Sequence, residues 1–136
     1  MDFSQSVGIA IAGMNAQSAR LKVVAENLAN ADSTAATPGG EPYRRKVITF
    51  KETLDKSLGV ATVKVGSIRT IPGSFGRRYE PSHPAADPDG YVLTPNVNPL
   101  IELTDMREAQ RSYEANLNVI DAAKSMLSRT IDLLRS

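Results

Sequence analysis

Two long rows of apolar residues, one near each end, most constrain what this chain can fold into. Each row recurs every three or four residues, a spacing that keeps one stripe on one side of a helix winding around a partner. The N-terminal seam consists of Phe3, Val7, Ala10, Met14, Leu21, Val24 and Leu28, with Gln17 as its polar member. The C-terminal seam consists of Leu103, Met106, Tyr113, Leu117, Ile120, Leu127, Ile131 and Leu134, with Gln110 and Lys124 as its polar members. We therefore expect a long helix at each end and a function in assembly.

The predicted fold is mainly α, with the two terminal helices pairing as a coiled coil and a small Pro- and Gly-rich β insertion between them. We divide the chain into an N-terminal helix at 1–31, a loop and β insertion at 32–99, and a C-terminal helix at 100–136. A polar residue in a seam commonly fixes the register of the pairing. Such a residue can equally reach water from the edge of the seam.

The insertion shows strand patterns interrupted by turn residues. Alternation predicts strands over 43–50 and 60–69, with a short helix over 51–58 between them. A tight turn at 87–90 precedes a further short strand over 91–93. An acidic calcium loop is the weaker interpretation of this turn, because apolar residues and proline occupy the later ligand positions.

Capping residues indicate where the two helices begin, and two glycines bear on how closely another helix can approach the first. Ser4 or Ser6 is the expected cap of the first helix, and Thr104 that of the second. Gly8 and Gly13 either form a smooth surface that another helix can approach closely or are tolerated surface glycines.

The composition and the motifs argue against most kinds of catalytic, metal-binding and nucleic-acid-binding site. The 136 residues carry 16 basic and 15 acidic side chains, so the chain has no general attraction to nucleic acid. Cysteine is absent and His83 is the only histidine, which leaves no usual zinc site and no nucleophile–base arrangement. The densest basic runs, 44–46 and 77–78, lack interleaved aromatic residues. We predict no enzymatic activity, no cofactor, no metal and no small-molecule substrate.

The N-terminal residues indicate whether the chain carries a secretory signal. It lacks the basic start, the long apolar run and the small-residue cleavage site of a secretory signal. No stretch approaches the ~20 apolar residues that cross a bilayer, so no membrane insertion is expected. If the protein leaves the cytoplasm, we expect a route that needs no cleaved signal peptide.

Both ends carry motifs that resemble the bacterial flagellar basal-body rod family. Residues 25–33 read AENLANADS, similar to the A-x-N-[LI]-A-N-A-[ND]-[ST] signature of that family. Residues 112–120 read SYEANLNVI and resemble its C-terminal helix, while 83–92, HPAADPDGYV, resemble its small proximal members with a β insertion. The motif residues are Asn27, Leu28, Ala29, Asn30, Tyr113 and Asn116.

This resemblance implies a structural subunit of the proximal rod that polymerises through its terminal helices into the shaft carrying torque from motor to hook. It implies copies of the chain, other rod proteins and the flagellar type III export apparatus as partners. It also implies a place in the basal body, in the periplasmic rod. The alternative is a coiled-coil adaptor or export-associated interaction protein that forms a discrete oligomer.

Overall fold

A computed structural model describes residues 2–136 and places a long helix at each end of the chain. Helix α1 spans Phe3–Ala29 and helix α2 spans Pro99–Arg135. Both terminal helices and the β insertion between them are confirmed. The insertion contains four strands, β1 (Lys46–Asp55), β2 (Val60–Thr70), β3 (Gly76–Tyr79) and β4 (Tyr91–Thr94). They form two separate two-stranded sheets, β1 with β2 and β3 with β4.

Helix α1 begins with a capping box made by Asp2 and Gln5. The backbone N–H of Gln5 donates to Asp2 Oδ1 at 2.7 Å, and the N–H of Asp2 donates to Gln5 Oε1 at 3.2 Å. These bonds satisfy donors that the first turn of a helix leaves free. The predicted caps Ser4 and Ser6 are wrong, because both residues already lie inside the helix.

Helix α2 begins at Pro99, before the cap that the sequence suggested. Asn98 Oδ1 accepts the N–H of Leu100 at 3.0 Å, and proline suits the first helical position because it has no N–H to satisfy. Thr104 lies within the helix and donates its hydroxyl to the carbonyl of Leu100 at 2.9 Å. The prediction of Thr104 as a cap is therefore wrong.

The β1–β2 hairpin extends further than its sequence pattern indicated. The predicted helix over 51–58 is wrong, since β1 continues to Asp55 and a turn follows. Gly59 closes this turn with a φ of 70°, and its N–H donates to the carbonyl of Asp55 at 2.8 Å. Pairing with β2 overrides the helix-forming residues of this segment. The first predicted strand begins at Lys46 rather than 43, while the strand predicted over 60–69 is confirmed.

The β3–β4 hairpin confirms the strand predicted over 91–93 and adds a partner that was not predicted. The two strands are antiparallel, with Arg78 opposite Val92 and Tyr79 opposite Tyr91. The turn before β4 is tight, because Gly90 has a φ of 88° and donates its N–H to the carbonyl of Asp87 at 2.9 Å. The backbone N–H of Tyr91 holds the pKa of Asp87 below its usual range.

The chain groups into two compact units, and the boundary crosses both helices and the β1–β2 hairpin. Unit 1 contains residues up to 21, 49–67 and 107–136, and unit 2 contains 22–48 and 68–106. The buried non-glycine, non-proline residues of unit 1 are small: Ala10, Ala16, Thr62, Ala109 and Ala123. Those of unit 2 include larger and polar side chains: Val23, Val24, Asn27, Ala85, Val92 and Glu102.

Candidate assembly site

In unit 1 the two helices run antiparallel and close together. Arg20 Nη2 lies 3.1 Å from Glu108 Oε2, and earlier in α1 Gly13 faces Asn116, which is later in α2. A Cβ added to Gly13 would lie 2.7 Å from Asn116 Nδ2, too near for a relaxed contact. Gly13 therefore permits a close helix approach, which decides between the two interpretations of this glycine.

The side of α2 that is buried in unit 1 carries small or polar residues. Ala109 and Ala123 are buried and Asn116 is half-buried, at the seven-residue spacing of a helical seam. Tyr113 and Ile120, two members of the C-terminal seam, are half-buried beside this row. Small side chains let the two helix backbones approach, and they contribute little apolar area.

Except for Ile120, the large aliphatic members of the C-terminal seam in unit 1 remain exposed. The exposed fractions are 40% for Leu117, 46% for Leu127, 46% for Ile131 and 82% for Leu134. Every residue from 124 to 136 is exposed, including Met126 and Leu133. We define Leu117, Leu127, Ile131 and Leu134 as the free aliphatic face of α2. Its side chains would gain burial from a further helix, because apolar area removed from water is stabilising.

The N-terminal seam is more covered than the C-terminal seam. In unit 1 Ala10 is buried, Val7, Met14 and Leu21 are half-buried and Phe3 is 37% exposed. In unit 2 the seam members divide similarly: Val24 is buried, Leu28 and Met106 are half-buried, and Leu103 is 45% exposed.

The polar members of the two seams differ in their burial. Gln110 and Lys124 are exposed. Gln17 is half-buried, and its Oε1 is buried with no hydrogen-bond partner among the described residues.

Asn27, a motif residue, is the centre of a buried network in unit 2. Its side chain is 1% exposed, and its amide makes four hydrogen bonds. Asn27 Nδ2 donates to the carbonyl of Lys46 at 2.8 Å and to Glu102 Oε2 at 3.1 Å. Asn27 Oδ1 accepts the N–H of Lys46 at 2.9 Å and the hydroxyl of Tyr43 at 2.6 Å. All hydrogen-bonding positions of this amide are thus satisfied.

Glu102 is a fully buried carboxylate in the same network. It accepts hydrogen bonds from Asn27 and from Arg45 Nε, and Arg45 Nη2 also lies 3.4 Å from Asp105 Oδ2. A buried charge is costly unless it is paired and hydrogen-bonded, and Glu102 is both. The network therefore joins the end of α1, the start of β1 and the start of α2.

Tyr43 is affected by this environment. Burial, followed by the nearby carboxylates of Glu26 and Glu102, raises the pKa of Tyr43 to about 12. Glu26 is itself paired with Lys46, whose Nζ lies 2.6 Å from Glu26 Oε1. The tyrosine hydroxyl therefore stays protonated and continues to donate to Asn27.

Among the other motif residues, Asn30 and Asn116 make side-chain hydrogen bonds only within their own segments, and Leu28 and Ala29 have apolar side chains. Asn30 Nδ2 donates to the carbonyl of Glu26 at 2.9 Å, and Asn116 Nδ2 donates to that of Ser112 at 3.0 Å. Both amides turn back on their own chain segment. Leu28 is half-buried and Ala29 is exposed.

The sequence analysis did not identify Tyr43, Arg45, Lys46 and Glu102 as site residues. An acidic residue in the first turn of α2 was a signal for Glu102, since carboxylates favour helix N-termini. Nothing in the sequence indicated that this carboxylate would be buried.

The histidine and the basic run at 77–78, for which we predicted no catalytic or binding role, have structural partners in unit 2. His83 Nε2 lies 3.0 Å from Thr34 Oγ1, and His83 Nδ1 accepts the N–H of Ala85 at 2.9 Å. Arg77 pairs with Asp87 and Arg78 pairs with Glu80.

Residues 2–136 offer neither a metal-binding cluster nor a membrane-spanning helix. No cluster of three or more histidine, aspartate or glutamate side chains in this range could hold a metal ion. Neither helix is both long enough and apolar enough in this range to span a bilayer.

Comparison with known proteins shows similarity at both ends and over nearly the full length. Residues 9–36 match the family "Flagella basal body rod protein", and 89–133 match "Flagellar basal body rod FlgEFG protein C-terminal". The chain is 52% identical to the flagellar basal-body rod protein FlgC of Agrobacterium fabrum, covering 94% of this chain and 92% of the relative. It is 44% identical to FlgC of Salmonella typhimurium, with 92% of each chain covered. It is 37% identical to FlgC of Borreliella burgdorferi, with 99% of each chain covered.

Proposed function

The chain belongs to the flagellar basal-body rod protein family, and we propose that it forms the proximal rod by polymerising through its terminal helices. It is a structural subunit of the rod, as its relatives are named, and its place is the basal body. We further propose that the helices pair as a coiled coil, that the rod they build carries torque from motor to hook, and that the subunit has no catalytic role.

The free aliphatic face of α2 is the observation that carries this proposal. Its leucine and isoleucine side chains are 40–82% exposed, while the small-residue row of Ala109, Asn116 and Ala123 already packs in unit 1. Contiguous exposed apolar surface on a soluble chain marks an interaction site. A helix with covered small residues and uncovered aliphatic residues is suited to a bundle that includes helices from other subunits.

The geometry of such a contact favours a filament. We propose that the free aliphatic face contacts a different surface of the next copy, which makes the contact heterologous. A heterologous contact whose rotation does not close generates a helical assembly. Copies of the chain and other rod proteins are therefore the proposed partners.

Export is a separate part of the proposal. We propose that the chain passes through the flagellar type III export apparatus without a cleaved signal peptide and assembles in the periplasm. The free aliphatic face would then become buried only on reaching the growing rod.

Replacing Leu117 by Asp tests the role of the free aliphatic face. We expect Leu117→Asp to abolish incorporation into purified hook–basal bodies and to abolish swimming, while the expression level stays unchanged. Asn118→Asp is the matched control, because it adds the same charge at a neighbouring exposed position of α2. Normal swimming of the Leu117→Asp strain would contradict the proposal. A fixed oligomer mass at all concentrations of the purified chain would instead favour the discrete adaptor.

A further inference from the structure

The beginning of α1 and the later part of α2 form an open apolar groove in unit 1. The groove has a volume of about 570 Å³, and its lining includes Asp2, Phe3, Ser6, Val119, Ala122 and Met126. Phe3 is 37% exposed, Val119 46% and Met126 55%. The groove, which we call the Phe3 groove, therefore presents apolar surface that unit 1 leaves uncovered.

Helix α2 continues beyond this groove. Met126 is the last residue of α2 that lines the Phe3 groove, whereas the helix ends at Arg135. Ile120 is half-buried, and the seven-residue spacing of the seam leads from it to Leu127 and Leu134, which are exposed. The row thus loses its cover where α1 begins. The end of α2 would gain cover from another chain.

The charges of the two surfaces are complementary. Asp2 is the only charged residue among the described residues that line the Phe3 groove. Two basic residues flank the free aliphatic face, since Arg135 follows Ile131 by four residues and Lys124 precedes Leu127 by three. An apolar groove with an acidic margin fits an apolar helix side with a basic margin.

The Phe3 groove and the free aliphatic face lie on different sides of α2. At 3.6 residues per turn, the α2 residues that line the groove are centred roughly a third of a turn away from those of the free aliphatic face. One copy can therefore place its free aliphatic face in the groove of a second copy while its own groove receives a third. Such a contact is heterologous and continues in an open series.

We propose that the Phe3 groove of one copy receives the end of α2 of the next copy. The Leu127–Leu134 part of the free aliphatic face lies against Phe3 and Met126, and Arg135 lies beside Asp2. This inference rests on the proposed rod function and names the surface that the free aliphatic face contacts. The contact buries exposed apolar side chains of both copies at once, and burial stabilises in proportion to apolar area.

Paired cysteines test this contact. Ser6→Cys places a thiol in the Phe3 groove and Leu134→Cys places one at the end of α2, in a chain that has no other cysteine. Ser6 is level with Ala123, because seven residues separate them from Gly13 and Asn116, which face each other. Position 134 lies about 16 Å further along α2. A disulfide tolerates a Cα separation of at most ~7 Å, so the bond forms only between copies.

We expect a ladder of cross-linked chains in purified hook–basal bodies from cells whose only copy is this double variant. An oxidising periplasm favours the bond, and each copy carries both partners, so non-reducing electrophoresis should show dimers, trimers and longer species. Ser4→Cys with Leu134→Cys is the matched control and should give no ladder, because Ser4 is in the first turn of α1 but does not line the groove. Absence of the ladder, or dimers alone, would overturn the proposal.

A charge change at Arg135 provides an independent test. In cells that produce the parent chain and Arg135→Glu in equal amounts, the variant should be about two- to fivefold under-represented in hook–basal bodies, the size of effect expected for an exposed charge pair. Quantitative mass spectrometry gives this ratio. Asp2→Asn, which keeps a capping side chain on α1, should relieve the loss. Arg111→Glu makes the same change at an exposed position of α2 outside both surfaces, and Asp2→Asn should not alter its incorporation. A loss in Arg135→Glu that Asp2→Asn leaves unchanged would overturn the pairing.

Failure of the rod function would look different from failure of this contact. If the rod function is wrong, the unaltered chain is missing from hook–basal bodies. If only the contact is wrong, the chain is present there and the cysteine pair gives no ladder.

Discussion

Unit 2 and unit 1 stabilise their parts of the same two helices in opposite ways. Unit 2 buries Asn27 and Glu102 in a network whose donors and acceptors are satisfied within the chain. Unit 1 buries mainly alanines and leaves most of the larger aliphatic residues of its part of α2 exposed.

This difference separates two tasks that a rod subunit has to perform. A satisfied polar network gives its full stabilisation in the free subunit and specifies one arrangement of the segments that it joins. An uncovered aliphatic face gives its stabilisation only when another chain arrives. The comparison predicts that mutations in unit 2 change folding and that mutations on the free aliphatic face change assembly.

The largest expected effect is on assembly, from Ile131→Asp. A carboxylate in the middle of the free aliphatic face would lose its water on assembly without a partner, so incorporation into the rod should be abolished. Because Ile131 is 46% exposed in the free chain, the free energy of unfolding should change by no more than about 0.5 kcal/mol. Quantitative mass spectrometry of hook–basal bodies and urea denaturation measure the two quantities. Ser128→Asp, at an exposed position of the same helix, should change neither.

The second effect is on folding, from Asn27→Ala. This change leaves the backbone of Lys46, the hydroxyl of Tyr43 and one oxygen of Glu102 without the partners they have at Asn27. The free energy of unfolding should fall by about 3–5 kcal/mol, because buried polar groups lose their hydrogen bonds in a connected network. Urea denaturation followed by circular dichroism gives this value. Asn30→Ala, which removes one bond to a backbone carbonyl, should cost about 1 kcal/mol. Equal losses of unfolding free energy for the two variants would mean that the buried network stabilises the chain no more than a single local hydrogen bond does.

A smaller effect tests the close helix approach in unit 1. Gly13→Ala gains about 1 kcal/mol of helix propensity, but its Cβ displaces the side chain of Asn116. In the double variant with Asn116→Ala the displacement disappears, so a double-mutant cycle should give a favourable coupling of about 1 kcal/mol. Thermal or urea unfolding of the four proteins measures it. Strictly additive effects would mean that the helices do not meet at this point.

The smallest effect appears only at high pH and concerns Tyr43. Its pKa is raised from the ordinary 10.0 to about 12 in the folded chain, so the unfolded chain loses this proton first. The contribution to stability is complete below about pH 10 and is lost as the pH rises from about 10 to 12. Unfolding free energies measured across this window should decline more steeply for the parent chain than for Tyr43→Phe. An identical decline in both would assign the effect to other groups.

The sequence predicted the parts of the fold that repeat and missed the parts that depend on distant partners. The three-and-four spacing located both helices, and the Asp87–Gly90 turn located β4. The helix expected over 51–58 failed because Lys51 to Leu54 suit a helix locally, while β2 offers them a strand partner. The β3 strand was missed because Gly76–Tyr79 contains two arginines and no apolar alternation.

The candidate site shows the same division. The apolar seams could be read from spacing alone. The row of α2 that packs in unit 1 could not, because Ala109 and Ala123 are small and Asn116 is polar. Motif residue Asn27 was identified from the resemblance, but its hydrogen bond to Glu102 depends on three segments meeting at one point.

The two bonds between Asn27 and the backbone of Lys46 have a consequence for how chains can associate. Lys46 opens β1, and both its N–H and its carbonyl are occupied by the amide of a helical residue. This amide takes the place of a neighbouring strand, so the beginning of β1 is closed to edge-to-edge recruitment of another chain. Unpaired strand edges are the usual starting points of aggregation. In the polymerisation that we propose, each subunit is thus protected at this edge from associating with the next copy through its sheet.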